Sequence, residues 1–433
     1  MATYLKSVLA YLSLGRTPDS RLDLSVAIGS TVIRQIISGG LYLIALWITT
    51  RHLGPQKNGE LATVLLLPQT LYAFLNLGLG ASHVYHLSSG RGKHTSMRHT
   101  NWVLALLLWL GVVAFLALSN SAHITRFLPG TAKNLALYAS MLLPMMLLAA
   151  WSSSLIQGSR DYQAYNKMVV IQPSVFCLAA VILSLSHALT VVSVLTCYLL
   201  SYASLWLLSE SKITAFAAPA PDAKHDFSAN IKYGLKAHLS NLITFLNYRL
   251  ALYLVSYTLG ASATGTYALS IQLAEMLWLI SSSASMVIFP ESAAHSKSPA
   301  ELHKMVKKVA SSVFQVTLAG ALIAAAAAPF AIPWIFGKAY EGAVLPFILL
   351  LPGIATWSYM SVLSNSLAGM GQQQVNIHSA LLCLSINIVG DLVAIPKFGV
   401  LGAASISTLA FCITALYTVV MYAKITGTKP RMR

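Results

Sequence analysis

Charged side chains are scarce in this sequence. Asp, Glu, Lys and Arg make up 9% of the 433 residues, and Asp and Glu together number 12. Since a soluble domain carries about 25% charged residues, this composition excludes an ordinary soluble enzyme. It also excludes a disordered chain, because such chains are polar and highly charged. With 56% apolar residues and a mean hydropathy of +0.69, the composition indicates a protein that crosses a membrane many times.

Residue patterns that bind metals or carry out catalysis are also missing. The four cysteines (Cys177, Cys197, Cys383 and Cys412) lie in apolar runs without a CxxC pair, so we interpret them as buried apolar side chains. We find no HExxH, GxSxG or EF-hand pattern. Residues 54–59 have the glycine spacing of a phosphate-binding loop, but Glu-Leu follows where Lys-Ser/Thr is required. We therefore expect no enzyme activity, no metal and no cofactor.

Runs without Asp, Glu, Lys or Arg mark the expected membrane spans. Two of them, 168–209 and 342–390, are too long for one helix and must fold back, near Ser184–Leu189 and at Gly369-Met370-Gly371. Since a span needs about 20 residues, we predict an all-α polytopic membrane protein with about 12 transmembrane helices. Their expected ranges are 25–50, 61–88, 100–119, 134–158, 165–185, 189–209, 232–258, 265–289, 306–328, 342–369, 374–395 and 399–423.

Basic residues outnumber acidic ones, 28 to 12, and the net charge is +16. Twenty of the Lys and Arg residues fall on the predicted side that holds both termini, and six fall on the other side. Because cytoplasmic loops are enriched in Lys and Arg, we expect both termini in the cytoplasm. The same bias explains the positive charge without nucleic acid as a partner.

The two halves of the sequence repeat. Residues 53–59 (Leu-Gly-Pro-Gln-Lys-Asn-Gly) match residues 259–265 (Leu-Gly-Ala-Ser-Ala-Thr-Gly) at an offset of 206. Six predicted spans in each half is an even number, so both halves point the same way. We therefore expect two parallel six-helix lobes around a central cavity. The predicted domains are a cytoplasmic N-terminal segment 1–24, an N-lobe 25–209, a cytoplasmic linker 210–231, a C-lobe 232–423 and a basic cytoplasmic tail 424–433.

Four sequence motifs, in a fixed order along the chain, resemble those of a known protein family. Two are the Leu-Gly-x4-Gly loops at 53–59 and 259–265, and the others are Pro333–Tyr340 (PWIFGKAY) and Pro396–Ala404 (PKFGVLGAA). Over residues 25–425 the chain resembles the bacterial oligosaccharide flippases of the polysaccharide transporter family. That family belongs to the multidrug/oligosaccharidyl-lipid/polysaccharide exporter superfamily.

The resemblance implies two six-helix bundles that work by alternating access. It implies transport of an undecaprenyl-pyrophosphate-linked oligosaccharide from the inner to the outer leaflet, for assembly of a surface polysaccharide such as lipopolysaccharide or exopolysaccharide. The implied location is the bacterial cytoplasmic (inner) membrane. The implied partners are the lipid-linked oligosaccharide, the phospholipid bilayer and polysaccharide-assembly enzymes.

Two arginines lie inside predicted spans, Arg34 in the first and Arg249 in the seventh. A charge at the bilayer centre costs about 2.5–3.5 kcal/mol on insertion scales, so a functional role is the default interpretation. The planar guanidinium matches phosphate oxygens, and we expect at least one of the two to contact the lipid pyrophosphate. Packing or ion pairing is the alternative.

Uncharged polar residues recur at matching positions in both halves. Gln69, Asn76 and His83 are spaced by seven in the second span and form one narrow stripe. Asn241 in the seventh span matches Gln35 in the first. We interpret Gln69, Asn76, His83 and Asn241 as lining of a substrate-binding cavity, with hydrogen bonds between helices as the alternative.

Two carboxylates lie within predicted spans of the second half. Glu275 lies at a depth similar to that of Arg249, so the two can pair in one state and separate in another. A buried carboxylate can exchange protons, and we hypothesise that Glu275 couples transport to a proton or sodium gradient. Asp391, one turn after Asn387, is a second candidate ion ligand. A solvated or hydrogen-bonded residue near a helix end is the alternative for Asp391.

Other functions stay open at this point. A drug or cation exporter of the same superfamily would favour an acidic residue in the N-terminal cavity, whereas the charge within the first two spans is Arg34. A flippase for the cell-wall precursor belongs to a sister family that typically has more helices. A membrane glycan polymerase or transferase usually needs a sizeable exposed loop with catalytic groups. The longest predicted outer loop, 120–133, contains no carboxylate.

Overall fold

The protein is helical throughout the part of the chain that the structure describes. The computed structural model describes residues 21–88, 94–121, 124, 128–159, 161–215, 227–278, 281–282, 288–289, 292 and 299–427. For residues 21–33, 88, 162–163, 215, 227–230, 232–233, 236–237, 239–241 and 299 it describes the backbone alone. Every regular element within these ranges is a helix, which confirms the predicted all-α class.

Eleven α-helices and one short 3-10 helix are present within the described ranges. The α-helices are α1 (Arg21–Leu75), α2 (Leu79–Ser88), α3 (His94–Leu118), α4 (Lys133–Ser140), α5 (Leu142–Gly158), α6 (Tyr162–Leu185), α7 (Val191–Ala215), α8 (Phe227–Glu275), α9 (Pro299–Phe336), α10 (Val344–Gly369) and α11 (Gln373–Ile425). The 3-10 helix, Lys338–Ala343, lies between α9 and α10.

Nine helical stretches of the described residues are long and apolar enough to cross a membrane. Among them, α11 has 53 residues and would extend about 80 Å as one rod, far more than the ~30 Å hydrocarbon core. Non-helical glycines interrupt α1, α8 and α11, so each of these helices changes direction within its length. The glycines are Gly54 (φ 69°, ψ 171°), Gly260 (φ 79°, ψ −175°) and Gly399 (φ 60°, ψ −141°).

The two predicted fold-back points are confirmed. The first lies between Leu185, which ends α6, and Val191, which begins α7. The second lies between α10, which ends at Gly369, and α11. The count of twelve spans stays a prediction, because the span expected at 265–289 is described continuously only as far as residue 278.

Several predicted helix bounds differ from the structure. Helix α9 extends over Pro299–Phe336 instead of 306–328, and the span expected at 134–158 is divided into α4 and α5. The span expected at 61–88 is interrupted, because Leu77 (φ 54°) and Gly78 (φ 65°) adopt left-handed conformations between α1 and α2. A Cβ at Gly78 would lie 2.1 Å from the carbonyl oxygen of Gly234, so the backbone can approach α8 closely here. Helix α7 continues to Ala215, beyond its predicted end at 209.

The chain divides into two compact units. Unit 1 contains the described residues up to Leu53 and Thr63–Leu242, and unit 2 contains Gly54–Ala62 and the described residues from Ile243 onward. A short segment from the first half of the sequence thus belongs to the unit built mainly from the second half. The predicted lobe boundaries stay a prediction. Of the predicted flanking segments, residues 1–20, 216–226 and 428–433 lie outside the described residues.

Each unit has an apolar core of its own. In unit 1, Leu79 of α2 packs with Leu147 and Trp151 of α5. In unit 2, Val306 of α9 packs with Leu363 of α10. Large apolar side chains also cover the outer helix surfaces, as in a protein embedded in lipid. Examples are Leu118 (88% exposed), Phe330 and Trp334 (each 80% exposed).

Candidate substrate and ion sites

Arg34 lies in α1 with its guanidinium over the ring of Tyr165 in α6. The guanidinium carbon is 5.8 Å from the ring centre, within range of a cation–π contact. Its Nε is buried and has no hydrogen-bond partner among the described residues. No described carboxylate lies within salt-bridge distance of it. Within the described part of unit 1, Arg34 is therefore a cation without a counter-ion.

Arg249 and Glu275 form an ion pair within unit 2. The distance from Arg249 Nη1 to Glu275 Oε1 is 3.4 Å, and both side chains are partly exposed. The two residues lie on opposite sides of the Gly260 break, which allows two parts of α8 to lie side by side. The structure thus contains the ion pair that the similar predicted depths of Arg249 and Glu275 in the membrane suggested.

A small cavity lies beside this ion pair. Its volume is about 30 Å³, enough to hold water. Its lining includes Glu275 and Asn247, whose buried Oδ1 has no hydrogen-bond partner among the described residues. Tyr267 and Ser407 line the same cavity, and their side chains are hydrogen-bonded to each other. The unpaired oxygen and the carboxylate can accept hydrogen bonds from water or coordinate a cation.

Asp391 is completely buried in α11. Its side chain is 0% exposed, and neither carboxylate oxygen has a hydrogen-bond partner among the described residues. The alternative of a solvated residue near a helix end is therefore wrong. Asn387, one turn earlier, is also buried, and its Oδ1 lacks a partner in the same described region. Asp391 also lies within electrostatic range of Tyr267, which lines the cavity beside Glu275.

Of the three polar residues predicted in the second span, Asn76 and His83 contact α5. Trp151 Nε1 donates a hydrogen bond to Asn76 Oδ1 at 2.9 Å. His83 is buried, and its Nδ1 lies 3.2 Å from Ser154 Oγ. These contacts are the interhelical hydrogen bonds that the sequence left as the alternative. Gln69 is half-buried in α1, and the side chain of Asn241 lies outside the described residues.

The sequence did not predict the ion pair between Arg98 of α3 and Glu210 of α7. Arg98 Nε lies 2.6 Å from Glu210 Oε2, and the Glu210 side chain is 9% exposed. Ser152 of α5 donates a further hydrogen bond to Glu210 Oε1 at 2.7 Å. Glu210 was assigned to the cytoplasmic linker because the apolar run ends at 209. Continued helical periodicity through residue 215 is the signal that could have placed it on α7.

Comparisons with solved structures show the fold. Lipid II flippase MurJ in an inward closed conformation is 16% identical to this chain, with a TM-score of 0.76 over 90% of this chain and 87% of the other. An inward-facing multidrug resistance MATE family transporter of the MOP superfamily is 15% identical, with a TM-score of 0.73 over 92% and 98%. A MOP superfamily transporter from Pyrococcus furiosus is 14% identical, with a TM-score of 0.64 over 93% and 96%.

Comparison of the sequence with known families is more specific than the comparison of folds. No curated protein matches the chain. A family whose description is "Polysaccharide biosynthesis protein" matches residues 48–345. This match confirms the resemblance inferred from the four motifs. It covers well over half of the sequence, so the chain belongs to the polysaccharide biosynthesis protein family.

Proposed function

We propose that this protein is a flippase for an undecaprenyl-pyrophosphate-linked oligosaccharide in the bacterial inner membrane. It moves the head group from the inner to the outer leaflet by alternating access, with both termini in the cytoplasm. The glycan is then available for assembly of a surface polysaccharide. The family and the transporter fold support the general function. Arg34, which has no counter-ion among the described residues, supports the anionic substrate.

Arg34 favours an anionic substrate for electrostatic reasons. A cation in a membrane span is costly unless an anion or water compensates it. Arg249 has Glu275 and Arg98 has Glu210, whereas Arg34 has no carboxylate partner among the described residues. A guanidinium offers a fork of donors that fits two oxygens of a pyrophosphate. A substrate phosphate is therefore the counter-ion that we assign to Arg34.

Binding of undecaprenyl pyrophosphate to the detergent-solubilised protein tests this assignment. A hydrogen bond to a charged group contributes about 1.5–3 kcal/mol, so Arg34→Ala should weaken binding by about 10- to 100-fold. Arg34→Lys should recover part of the affinity. The exposed Arg51 of the same helix gives a matched control, Arg51→Ala, which should bind normally. Undecaprenol, which lacks the phosphates, should bind all four proteins alike.

Equal affinity of the wild type and Arg34→Ala for undecaprenyl pyrophosphate would contradict the role of Arg34. A loss of affinity that is just as large for undecaprenol would indicate damage to the apolar part of the site. Only a loss of affinity that requires the phosphates of the ligand fits the role of a substrate phosphate as the counter-ion of Arg34.

We further propose that Asp391 and Glu275 couple transport to a proton or sodium gradient. An ionised carboxylate cannot stay buried in an apolar medium without a partner, so a bound proton or cation is the partner that we assign to Asp391. Asn387 supplies a second buried oxygen one turn away. Glu275 borders the water-sized cavity and can exchange Arg249 for an ion as the pair separates.

Replacement of each carboxylate by its amide tests ion coupling. Asp391→Asn keeps the size of the side chain but removes its charge, so transport should lose its dependence on an imposed proton or sodium gradient. Binding of undecaprenyl pyrophosphate should not change. Glu275→Gln should reduce the gradient dependence, and Glu341→Gln, at an exposed position, should leave it intact. Unchanged gradient dependence in both Asp391→Asn and Glu275→Gln would eliminate these two residues from coupling.

An exporter of organic cations is less compatible with unit 1. Such a function favours a carboxylate that is available to the cargo in the N-terminal cavity. Glu210, the buried carboxylate described in this unit, is already paired with Arg98 and bonded to Ser152. The described charges of unit 1 therefore favour an anionic cargo.

A further inference from the structure

Four aromatic side chains form a continuous cluster in unit 2. The ring centre of Tyr248 in α8 lies 4.7 Å from that of Trp278 and 6.0 Å from that of Trp357 in α10. The ring centres of Trp278 and Trp357 are 6.4 Å apart. Trp357 also lies 4.9 Å from Phe411 of α11, again between ring centres. These distances are those of favourable aromatic pairs, so the rings hold one another in place.

One ring of this cluster is buried, and three are partly exposed. Phe411 is 5% exposed. Tyr248, Trp278 and Trp357 each keep part of their surface accessible. The cluster is therefore more than core packing, because it presents aromatic surface that neighbouring rings keep in a fixed position.

The accessible aromatic surface lies beside a hydrated part of unit 2. Arg249 directly follows Tyr248 in the chain, and Glu275 lines the same small cavity as Tyr248 and Trp278. The Arg249 and Glu275 side chains are 28% and 23% exposed. Partly exposed charges within membrane spans face water or protein rather than lipid. The small cavity holds about 30 Å³, so a ligand larger than water must lie on the exposed ring surfaces instead.

Groups that can form hydrogen bonds surround the rings. Trp278 Nε1 is buried and has no hydrogen-bond acceptor among the described residues. Asn247 Oδ1, next to Tyr248 in the chain, is buried and lacks a donor in the same part of the structure. Arg249 adds donors and Glu275 adds acceptors. Aromatic surface with a few converging polar groups is the usual composition of a small-ligand site.

A sugar ring matches this composition better than other ligands do. Each face of a glucose ring carries C–H groups that can pack on an aromatic ring, and the hydroxyl groups at its edge donate and accept hydrogen bonds. An organic cation matches less well, because Glu275 is already neutralised by Arg249. A polyprenyl chain could pack on the rings, but it would remove the polar groups from water without replacing their hydrogen bonds.

We propose that Tyr248, Trp278 and Trp357 form a platform on which unit 2 binds a sugar ring of the transported oligosaccharide. This inference rests on the proposed function, and it adds a glycan subsite to the phosphate contact assigned to Arg34. Packing on the rings supplies the affinity for the sugar. Hydrogen bonds from its hydroxyl groups to Trp278 Nε1 and to the ion pair fix its orientation.

Binding of four lipids to the purified protein tests the platform, in a detergent without a sugar head group. The lipids are undecaprenol, undecaprenyl pyrophosphate and each of these with one glucose attached. In the wild type, glucose should raise the affinity by about tenfold. In Trp278→Leu and Trp357→Leu, glucose should raise it by less than about threefold, because the packing surface is lost. Trp357→Phe keeps a ring and should retain part of the effect.

Trp334→Leu is the matched control, because it removes an 80% exposed ring on the outer surface of α9. Glucose should raise its affinity as much as that of the wild type. If glucose has no effect in the wild type, the platform is wrong. An equal loss of affinity for lipids with and without glucose in Trp357→Leu would also overturn it, because the ring would then serve the lipid tail or the fold. Binding of tetraphenylphosphonium that depends on Trp357, without an effect of glucose, would identify a cation site instead.

The same lipids separate the platform from the proposed function. If glucose raises the affinity for undecaprenol but the pyrophosphate adds nothing, the platform stands and the proposed substrate is wrong. If the pyrophosphate raises the affinity through Arg34 but glucose adds nothing, the proposed anion site stands and the platform is wrong.

Discussion

At the scale of single residues, the charges within the helices divide into paired and unpaired groups. Arg98 pairs with Glu210, and Arg249 pairs with Glu275. Arg34 and Asp391 have no partner of opposite charge among the described residues. A paired charge can be explained by structure alone, whereas an unpaired one needs a ligand. For this reason the proposed function places the substrate at Arg34 and an ion at Asp391.

The Arg98–Glu210 pair should stabilise the protein without binding substrate. Glu210→Gln leaves Arg98 without its counter-ion and should lower the free energy of unfolding by about 3 kcal/mol, since loss of one partner of a buried pair is costly. Arg98→Met combined with Glu210→Leu should recover most of this loss, because the apolar replacements need no partner. Unfolding in mixed detergent micelles measures both effects.

The more exposed pair of Lys212 and Asp161, at 3.7 Å, serves as the comparison. Lys212→Ala should change the free energy of unfolding by less than about 1 kcal/mol. A loss in Glu210→Gln no larger than the loss in Lys212→Ala would show that the buried pair has no special structural role.

The sequence could identify the candidate residues but not their neighbours. Arg34, Arg249, Glu275 and Asp391 stood out because charges are rare in apolar runs. Asn76 and His83 both contact α5, but the break at Leu77 and Gly78 separates them, so the predicted single helix face is interrupted. Their spacing along the chain also does not say which other helix lies opposite. Trp151 and Ser154 of α5 provide that answer, and their contacts depend on tertiary packing.

At the scale of helices, glycines decide where the chain turns. Gly399 breaks α11 at the boundary between two predicted spans, and beyond it the second part of α11 packs closely against the first. A Cβ at Gly402 would lie 2.4 Å from the carbonyl oxygen of Ala394. These two parts of α11 can therefore approach only where a side chain is missing.

Gly402→Ala tests this packing. The added methyl group meets backbone, which cannot rotate away, so the two parts of α11 must separate. We expect a loss of about 1–3 kcal/mol in the free energy of unfolding, as for other overpacked sites. Gly111→Ala is the matched control, because no atom lies within 4 Å of its Cβ position and Ala favours the helix by about 1 kcal/mol. A Gly402→Ala protein as stable as Gly111→Ala would refute the close approach.

The helix breaks at Gly54 and Gly399 could be predicted because charged residues beside them end an apolar run, and the break at Gly260 could be predicted from the repeated Leu-Gly-x4-Gly motif. The interruption at Leu77 could not, because leucine rarely adopts a left-handed conformation. The contact of Gly78 with Gly234 accompanies that conformation, and it joins residues far apart in the sequence. The extension of α7 was missed for a similar reason, since the contacts of Glu210 with Arg98 and Ser152 join residues far apart in the sequence.

At the scale of the whole molecule, the repeat explains why a segment of the first half packs in unit 2. Gly59 and Gly265 occupy equivalent positions of the repeat, and the structure brings them together in that unit. The family links the protein to polysaccharide biosynthesis, and its fold is similar to that of solved transporters. The charges are not symmetric between the halves, because Ser240 occupies the position that corresponds to Arg34. A polar, anionic cargo is consistent with this asymmetry.

Translocation of a fluorescent undecaprenyl-pyrophosphate-linked oligosaccharide in proteoliposomes tests the flippase and its arginine together. The wild type should move the head group across the bilayer, Arg51→Ala should do so at a similar rate, and Arg34→Ala should be slower by about tenfold or more. Folding of each variant is checked by its elution as a single species. Loss of translocation in folded Arg34→Ala alone would support a flippase with the pyrophosphate at Arg34. Failure of the wild type with several glycans, together with export of an organic cation, would contradict this function.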